Sequence, residues 1–160
     1  NMAFKKKFAP RRKFCRFCAD NYGYNEPLGD MKTLMFVKEL RNACAHDSCI
    51  LNDIAPQDSG VFKSPPAVNQ MLSRIDAIGR DQRRQKMKNG RIQQIISSMY
   101  AHSRMRENEL YHERKTELRK FFARATLHPD YYEGNNDSVL STLIFLRNVY
   151  EYLYEQHPEH

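Results

Sequence analysis

The sequence predicts an all-α protein, a bundle of about five to six helices. Apolar residues recur at helical spacing in several stretches, and no stretch alternates apolar and polar residues with comparable regularity. Prolines and glycines fall between these stretches, where they mark turns and loops. Hydrophobic residues make up 41% of the 160 positions, which is enough for the core of one domain.

The N-terminal part of the chain is predicted to hold a basic arm and a first long helix. Residues 1–13 form the arm, and residues 14–160 form a single helical domain. Within the domain, residues 14–20 have an apolar face suited to two helical turns, and a loop follows them. Asp30 is a good N-cap for a helix over residues 31–46.

A long loop and two further helices are predicted for the middle of the chain. The loop spans about residues 47–66, and a loop of this length usually serves a function or is mobile. A helix over residues 67–78 is followed by a basic connection at 80–88, and another helix begins after Gly90. The buried stripe of the first helix is Val68, Met71, Leu72, Ile75 and Ile78, and that of the second is Ile92, Ile95, Ile96, Met99 and Tyr100.

Two more helices are predicted for the C-terminal part. Residues 104–126 are charged on one side and form a surface helix, which the dipeptide at 128–129 ends because its second residue is proline. The last helix is capped by one of residues 135–137 and buries an apolar set: Val139, Leu140, Leu143, Ile144, Leu146 and Val149. We expect the tyrosines at its end to pack against the body of the domain or a partner: Tyr150, Tyr152 and Tyr154.

The charge of the chain narrows the class of partner. The formal net charge is +7, which favours a polyanion such as nucleic acid. No apolar run approaches the roughly 20 residues needed to cross a membrane, and no apolar stretch follows the basic start as it would in a signal peptide. Four cysteines in 160 residues do not suggest a disulfide scaffold. We therefore expect a cytoplasmic protein with no membrane contact.

The segment Leu40-Arg-Asn-Ala-Cys-Ala-His46 is the most informative one for function. Arginine offers phosphate a permanent charge and a planar fork of donors, and histidine can take or give a proton near neutral pH. The two groups suit RNA cleavage without a metal, in which a ribose 2′-OH attacks the adjacent phosphate. His46 would act as general base or general acid, and Arg41 would stabilise charge on the phosphoryl oxygens. An arginine and a histidine at this spacing also occur by chance in many helices.

The spacing of the pair sets a geometric condition. Residues five apart lie about 140° from each other around a helix axis, so Arg41 and His46 do not share one face of a straight helix. Either the helix ends or bends between them, or each works with a group from another element. A single histidine supplies one proton role, whereas a two-fold dimer supplies both.

This segment, with Phe36-Val37 before it and Asn52 after it, resembles the HEPN nucleases, in particular the Abi-like (abortive infection) proteins of bacteria. Two weaker matches are the segments at residues 134–137 and 14–18. The resemblance implies a HEPN-like helical bundle that pairs as a homodimer and needs no metal or cofactor. It also implies an anti-phage or toxin-type endoribonuclease that leaves 2′,3′-cyclic phosphate and 5′-OH ends.

The resemblance implies roles for three residues and further partners. Arg41 and His46 would be catalytic and would meet their copies across a dimer cleft, and Asn42 would orient the histidine or the phosphate. RNA would be the substrate, and an antitoxin or a phage-derived trigger would control the activity.

Two alternatives stay open. The first is a non-catalytic RNA-binding or protein-interaction module on the same fold. The second is a small zinc-containing nucleic-acid-binding protein, because Cys15 and Cys18 have zinc-knuckle spacing and Cys44 with Cys49 or His46 can complete four ligands. The basic arm with Cys-Arg-Phe-Cys also resembles the start of a bacterial small-subunit ribosomal protein. Packing of free cysteines in the core explains the same pair without a metal.

A basic segment is the candidate RNA-binding surface. Its six residues can contact RNA phosphates, although a solvated basic face explains them equally well: Arg80, Arg83, Arg84, Lys86, Lys88 and Arg91. His102 and His112 lie among charged residues with no partner motif, and we expect both at the surface.

Overall fold

The computed structural model describes residues 31–46, 64–105, 109–132, 134 and 137–156. These residues form six α-helices and no β-strand, so the predicted all-α class is confirmed. A 3₁₀ turn, Pro129–Tyr132, precedes the last helix, and a π-helical turn, Tyr152–Gln156, continues it. The helices are α1 Met31–Ala45, α2 Pro66–Leu72, α3 Arg80–Lys86, α4 Gly90–Ser103, α5 Glu109–Ala125 and α6 Asp137–Glu151.

Helix α4 occupies the centre of the described structure. It packs against α1, α2, α6 and the π turn, while α5 packs against α6. Its buried residues include Ile92 and Ile96, each at most 1% exposed. They pack in one core with apolar residues of other elements, among them Val68, Leu72, Phe122, Phe145 and Val149.

The start of α4 is fixed by an N-cap. The side chain of Asn89 accepts hydrogen bonds from the backbone N–H groups of Arg91 at 2.8 Å and Ile92 at 3.0 Å. These bonds satisfy two of the donors that a helix leaves open at its first turn. One turn later, the buried Gln93 donates from Nε2 to the Met87 carbonyl at 2.6 Å. The turn between α3 and α4 is therefore held by hydrogen bonds of two side chains, those of Asn89 and Gln93.

Helix α1 is held against α4 by one face. Thr33 and Phe36 are buried on that face, at 1% and 6% exposure. Gln94 of α4 donates from Nε2 to the Glu39 carboxylate at 2.9 Å and adds a polar link between the two helices. The helix predicted over residues 31–46 is confirmed with its end at Ala45.

The structure corrects two predictions for the middle of the chain. The helix predicted over 67–78 ends at Leu72, and Ile75 and Ile78 of its stripe are buried from turns instead. Residues 80–86, predicted as a connection, form α3. This helix buries none of its residues, so it carries no apolar periodicity, whereas its arginine, glutamine and lysine residues favour helix.

The C-terminal predictions hold with smaller corrections. The helix predicted over 104–126 begins at Glu109 in the described residues, since Arg104 caps the C-terminal end of α4. Ile144, predicted to face inward, is 38% exposed. Gly134 precedes α6 with a φ of 80°, a left-handed conformation that glycine adopts without strain.

Several predicted features lie outside the described residues. They are the basic arm at 1–13, the short helix at 14–20, the cap at Asp30 and nearly all of the loop at 47–66. Within the described part of the chain, no helix is both long enough and apolar enough to span a bilayer.

Candidate functional site

Arg41 and His46 both lie exposed at the C-terminal end of α1. The backbone N–H of His46 donates to the Asn42 carbonyl at 3.0 Å, so His46 continues the helical hydrogen-bonding pattern just past the end of the helix. Because the helical hydrogen bonding continues from Arg41 to His46, their five-residue spacing places them on different sides of α1. Asn42 is half-buried between them.

Residues earlier in α1 anchor the helix to α4. Phe36 is buried, and the Glu39–Gln94 hydrogen bond ties α1 to α4. Arg41 and His46 are thus carried on a fixed backbone while their side chains face solvent. In the described ranges, neither side chain hydrogen-bonds to another residue, so both are available to an external phosphate.

The zinc alternative rests largely on residues without described structure. Cys44 is a free, exposed cysteine on α1, whereas Cys15, Cys18 and Cys49 lie outside the described residues. Across residues 31–46, 64–105, 109–132, 134 and 137–156, no group of three histidine, cysteine or acidic side chains could hold a metal ion.

The six basic residues of the predicted RNA-binding surface separate into two groups. Three of them are half-buried and donate hydrogen bonds to other residues of the protein. Arg83 donates from Nη1 to the Leu72 carbonyl at 3.1 Å, and Arg91 donates from Nη1 to Oε1 of Gln94 at 2.7 Å. Lys86 donates from Nζ to the Thr142 hydroxyl at 2.8 Å, and burial lowers the pKa of this ammonium group.

The other three basic residues, Arg80, Arg84 and Lys88, are exposed. Arg80 and Arg84 line a shallow pocket together with Arg83, Asn69 and Met87. Three guanidinium groups around one depression make a local positive field suited to a phosphate. RNA binding by the exposed residues stays a prediction, while Lys86 and Arg91 are better explained as links within the fold.

His102 is the residue that the sequence prediction misplaced. It is half-buried, and its ring stacks on that of Tyr111 with centroids 5.0 Å apart and an interplanar angle of 4°. Its Nδ1 lies 2.8 Å from the hydroxyl of Tyr154. Burial lowers the pKa of His102, and the positive charge of Arg114 lowers it further. Its position three residues after the core residue Met99 was the available clue, because residues three apart share a helix face.

The C-terminal tyrosines pack against the body of the domain. Tyr150 and Tyr154 are 2% and 1% exposed, and burial raises the pKa of both phenols. Tyr150 donates to the Glu155 carboxylate at 2.9 Å, and Lys115 of α5 donates to the Tyr154 carbonyl at 2.7 Å. His112 is exposed, as predicted.

No family model and no solved structure matches the chain. Small ribosomal subunit protein bS18 of Oleidesulfovibrio alaskensis is 45% identical over 58 residues, an alignment that spans 31% of this chain and 67% of the relative. The bS18 protein of Nitratidesulfovibrio vulgaris gives the same identity and coverage. That of Maridesulfovibrio salexigens is 84% identical over 19 residues, which are 12% of this chain and 22% of the relative. These alignments describe a segment and leave most of this chain uncovered.

Proposed function

This chain belongs to the bS18 family of small ribosomal subunit proteins over the aligned 31% of its length, and from that premise we propose that its partner is RNA. The relatives are named as proteins of the small ribosomal subunit, a particle built of RNA and protein. The net charge of +7 and the three guanidinium groups around the α3 pocket suit the same polyanion.

We propose further that the chain is an endoribonuclease of the abortive-infection or toxin type that uses Arg41 and His46 and needs no metal. The observation that carries this proposal is the exposure of both side chains at one end of a helix that is anchored to α4. Each of these exposed groups sits on a fixed backbone, so each can meet a phosphodiester without rearrangement of the fold, although one copy does not present both on one face.

The proposed reaction needs two proton transfers. A base removes the proton of a ribose 2′-OH, whose oxygen attacks the adjacent phosphorus while the bond from phosphorus to the 5′ oxygen breaks. The departing 5′ oxygen takes a proton from an acid, which leaves a 2′,3′-cyclic phosphate and a 5′-OH. Arg41 stabilises the charge on the phosphoryl oxygens, and Asn42 positions the histidine or the phosphate.

A homodimer would supply both proton roles. His46 provides one of them, and Arg41 lies on another side of α1, so one copy presents an incomplete site. A two-fold pairing of α1 ends would bring a second His46 to the same phosphate. The exposure of His46 leaves it accessible to such a second copy.

The test is cleavage of a mixed-sequence RNA in the presence of a chelator. We expect wild-type protein to produce 2′,3′-cyclic phosphate and 5′-OH ends, and His46→Ala and Arg41→Ala to abolish cleavage with folding unchanged. His112→Ala is the matched control, since it removes an exposed histidine from α5. Full activity of His46→Ala, or products with 3′-OH ends, would refute the proposal.

A non-catalytic RNA-binding module is the second candidate, favoured by the bS18 similarity and by the exposed arginines of the α3 pocket. Such a module would retain RNA that stays intact over long incubation. Arg84→Ala would then weaken binding, and the affinity would depend more weakly on salt because one phosphate contact is lost. Binding without cleavage by wild-type protein would select this candidate over the nuclease.

A further inference from the structure

A second pocket lies at the C-terminal end of α4, the end opposite the Asn89 cap. It is bounded by α2, the end of α4, the start of α5 and the π turn, and its volume is about 230 Å³. Its lining includes two arginines and three tyrosines: Arg74, Arg104, Tyr100, Tyr111 and Tyr152. None of these residues belongs to the Arg41–His46 site or to the basic segment at 80–91.

The described lining of this pocket carries positive charge. Among the residues that the structure describes there, two are arginines and none is acidic. Arg74 is exposed, and within the described residues its side chain makes no ion pair or hydrogen bond. A guanidinium in this state can donate two parallel hydrogen bonds to a phosphate.

The aromatic side of the pocket is held in place before any ligand arrives. Tyr111 is 8% exposed and stacks on His102, whose Nδ1 lies 2.8 Å from the Tyr154 hydroxyl. Tyr154 in turn donates to the Met99 carbonyl at 3.0 Å. Tyr100 and Tyr152 are half-buried, so part of each side chain stays accessible. A wall fixed in this way loses little conformational freedom on binding.

We infer that this pocket binds a single nucleotide, with the nucleobase against the tyrosines and the phosphate at Arg74 and Arg104. Tyrosine rings stack on bases of any sequence, and arginine recognises the phosphate. The volume of about 230 Å³ lies below the range of about 300–1,000 Å³ for ordinary ligand sites, so the pocket suits one base rather than two. The nucleotide is either free or part of an RNA strand.

Calorimetric titration with the four nucleoside monophosphates, adenosine and inorganic phosphate tests the inference. We expect at least one monophosphate to bind more tightly than adenosine and than phosphate alone, because only the nucleotide uses both halves of the pocket. Arg74→Gln should weaken that binding about tenfold or more, as expected for a lost charge-assisted hydrogen bond. Arg124→Gln, at an exposed arginine of α5 outside the pocket, should not change it.

A short RNA distinguishes the two sources of the nucleotide. If the nucleotide belongs to a strand, Arg74→Gln should weaken binding of a hexanucleotide as well; if it is free, only monophosphate binding should change. These titrations measure binding rather than cleavage, so a failure of the nuclease proposal leaves this inference standing. Absence of binding by all four monophosphates and the RNA, or equal binding by Arg74→Gln, would overturn it.

Discussion

The Nδ1 atom of His102 lies 2.8 Å from the phenolic oxygen of Tyr154 and joins the end of α4 to the π turn. Tyr154 has a single hydroxyl proton, which it donates to the Met99 carbonyl at 3.0 Å. With that proton given to Met99, we assign the donor in the contact with Tyr154 to the Nδ1–H of His102, which in the neutral ring is the Nδ1–H tautomer. The histidine is a structural donor in a buried network rather than the surface residue that the sequence suggested.

This network predicts that the stability of the domain falls in mild acid. The pKa of His102 is lowered in the folded protein. As the pH falls below about 6.5, His102 therefore binds a proton in the unfolded chain before it does so in the folded chain. The free energy of unfolding is therefore greatest above that pH and decreases as the pH falls through it. Urea denaturation of wild type and His102→Gln between about pH 5 and pH 8 measures the effect.

The two histidine variants should differ in their pH dependence. His102→Gln should lose the acid-dependent part of the decrease, whereas His112→Gln, at an exposed position of α5, should keep it. The explanation fails if His102→Gln and wild type lose stability in parallel as the pH is lowered.

Removal of one oxygen from Tyr154 should destabilise the same network. The side chain is 1% exposed, so Tyr154→Phe leaves the Nδ1–H of His102 without its acceptor, in a half-buried environment. We expect a loss of about 1–3 kcal/mol in the free energy of unfolding, the usual cost of a buried polar group without a partner. Tyr131→Phe, at a 71% exposed tyrosine, is the control and should change stability by less than about 0.5 kcal/mol. Equal stability of the two variants would contradict the assigned hydrogen bonds.

The sequence predicted those helices that bury an apolar stripe. Helix α1 was placed within one residue of its end, and the core residues Ile92, Ile96 and Met99 of α4 were identified correctly. Helix α3 was missed because it buries none of its residues, so hydrophobic periodicity could not reveal it. Periodicity reports which face of a helix is buried, and it says nothing about a helix that has no buried face.

For the candidate sites, likewise, the sequence predicted some features, and others became visible only in the structure. The residue types of Arg41 and His46 are visible in the sequence, and the helix predicted to carry them forms, although it ends at Ala45, one residue before His46. The contact between His102 and Tyr154 joins residues 52 positions apart and depends on the packing of α4 against the π turn. Likewise, the sequence could not separate Lys86 from Lys88, because only the structure brings Thr142 within reach of the first.

The cap of α4 predicts a local loss of stability. Asn89 is 1% exposed and accepts two backbone hydrogen bonds, so Asn89→Ala leaves the N–H groups of Arg91 and Ile92 without their acceptor. We expect a decrease of about 1 kcal/mol, and up to about 2 kcal/mol, in the free energy of unfolding. The same change at Asn69, an exposed residue of α2, is the control and should have little effect. Denaturation curves in urea compare the two, and a cap role is excluded if both variants match wild type.

Substitution of Lys86 should lower the stability of the protein, whereas substitution of Lys88 should lower its affinity for RNA. Lys86 ties α3 to α6, since its Nζ donates to the Thr142 hydroxyl at 2.8 Å and to the Ser138 carbonyl at 3.4 Å. Lys86→Met keeps the apolar stem but loses these bonds, and we expect it to cost about 1 kcal/mol of stability with little change in RNA affinity. Lys88 is exposed, and Lys88→Met should leave stability unchanged.

The RNA-binding half of this comparison is measured by the salt dependence of the affinity. Loss of one phosphate contact should reduce the slope of log affinity against log salt by about 0.7–0.9 for Lys88→Met. The slope for Lys86→Met should equal that of wild type, because its ammonium group is already hydrogen-bonded within the fold and its pKa is lowered by burial. A reduced slope for Lys86→Met together with unchanged stability would show that this lysine serves RNA rather than the α3–α6 contact.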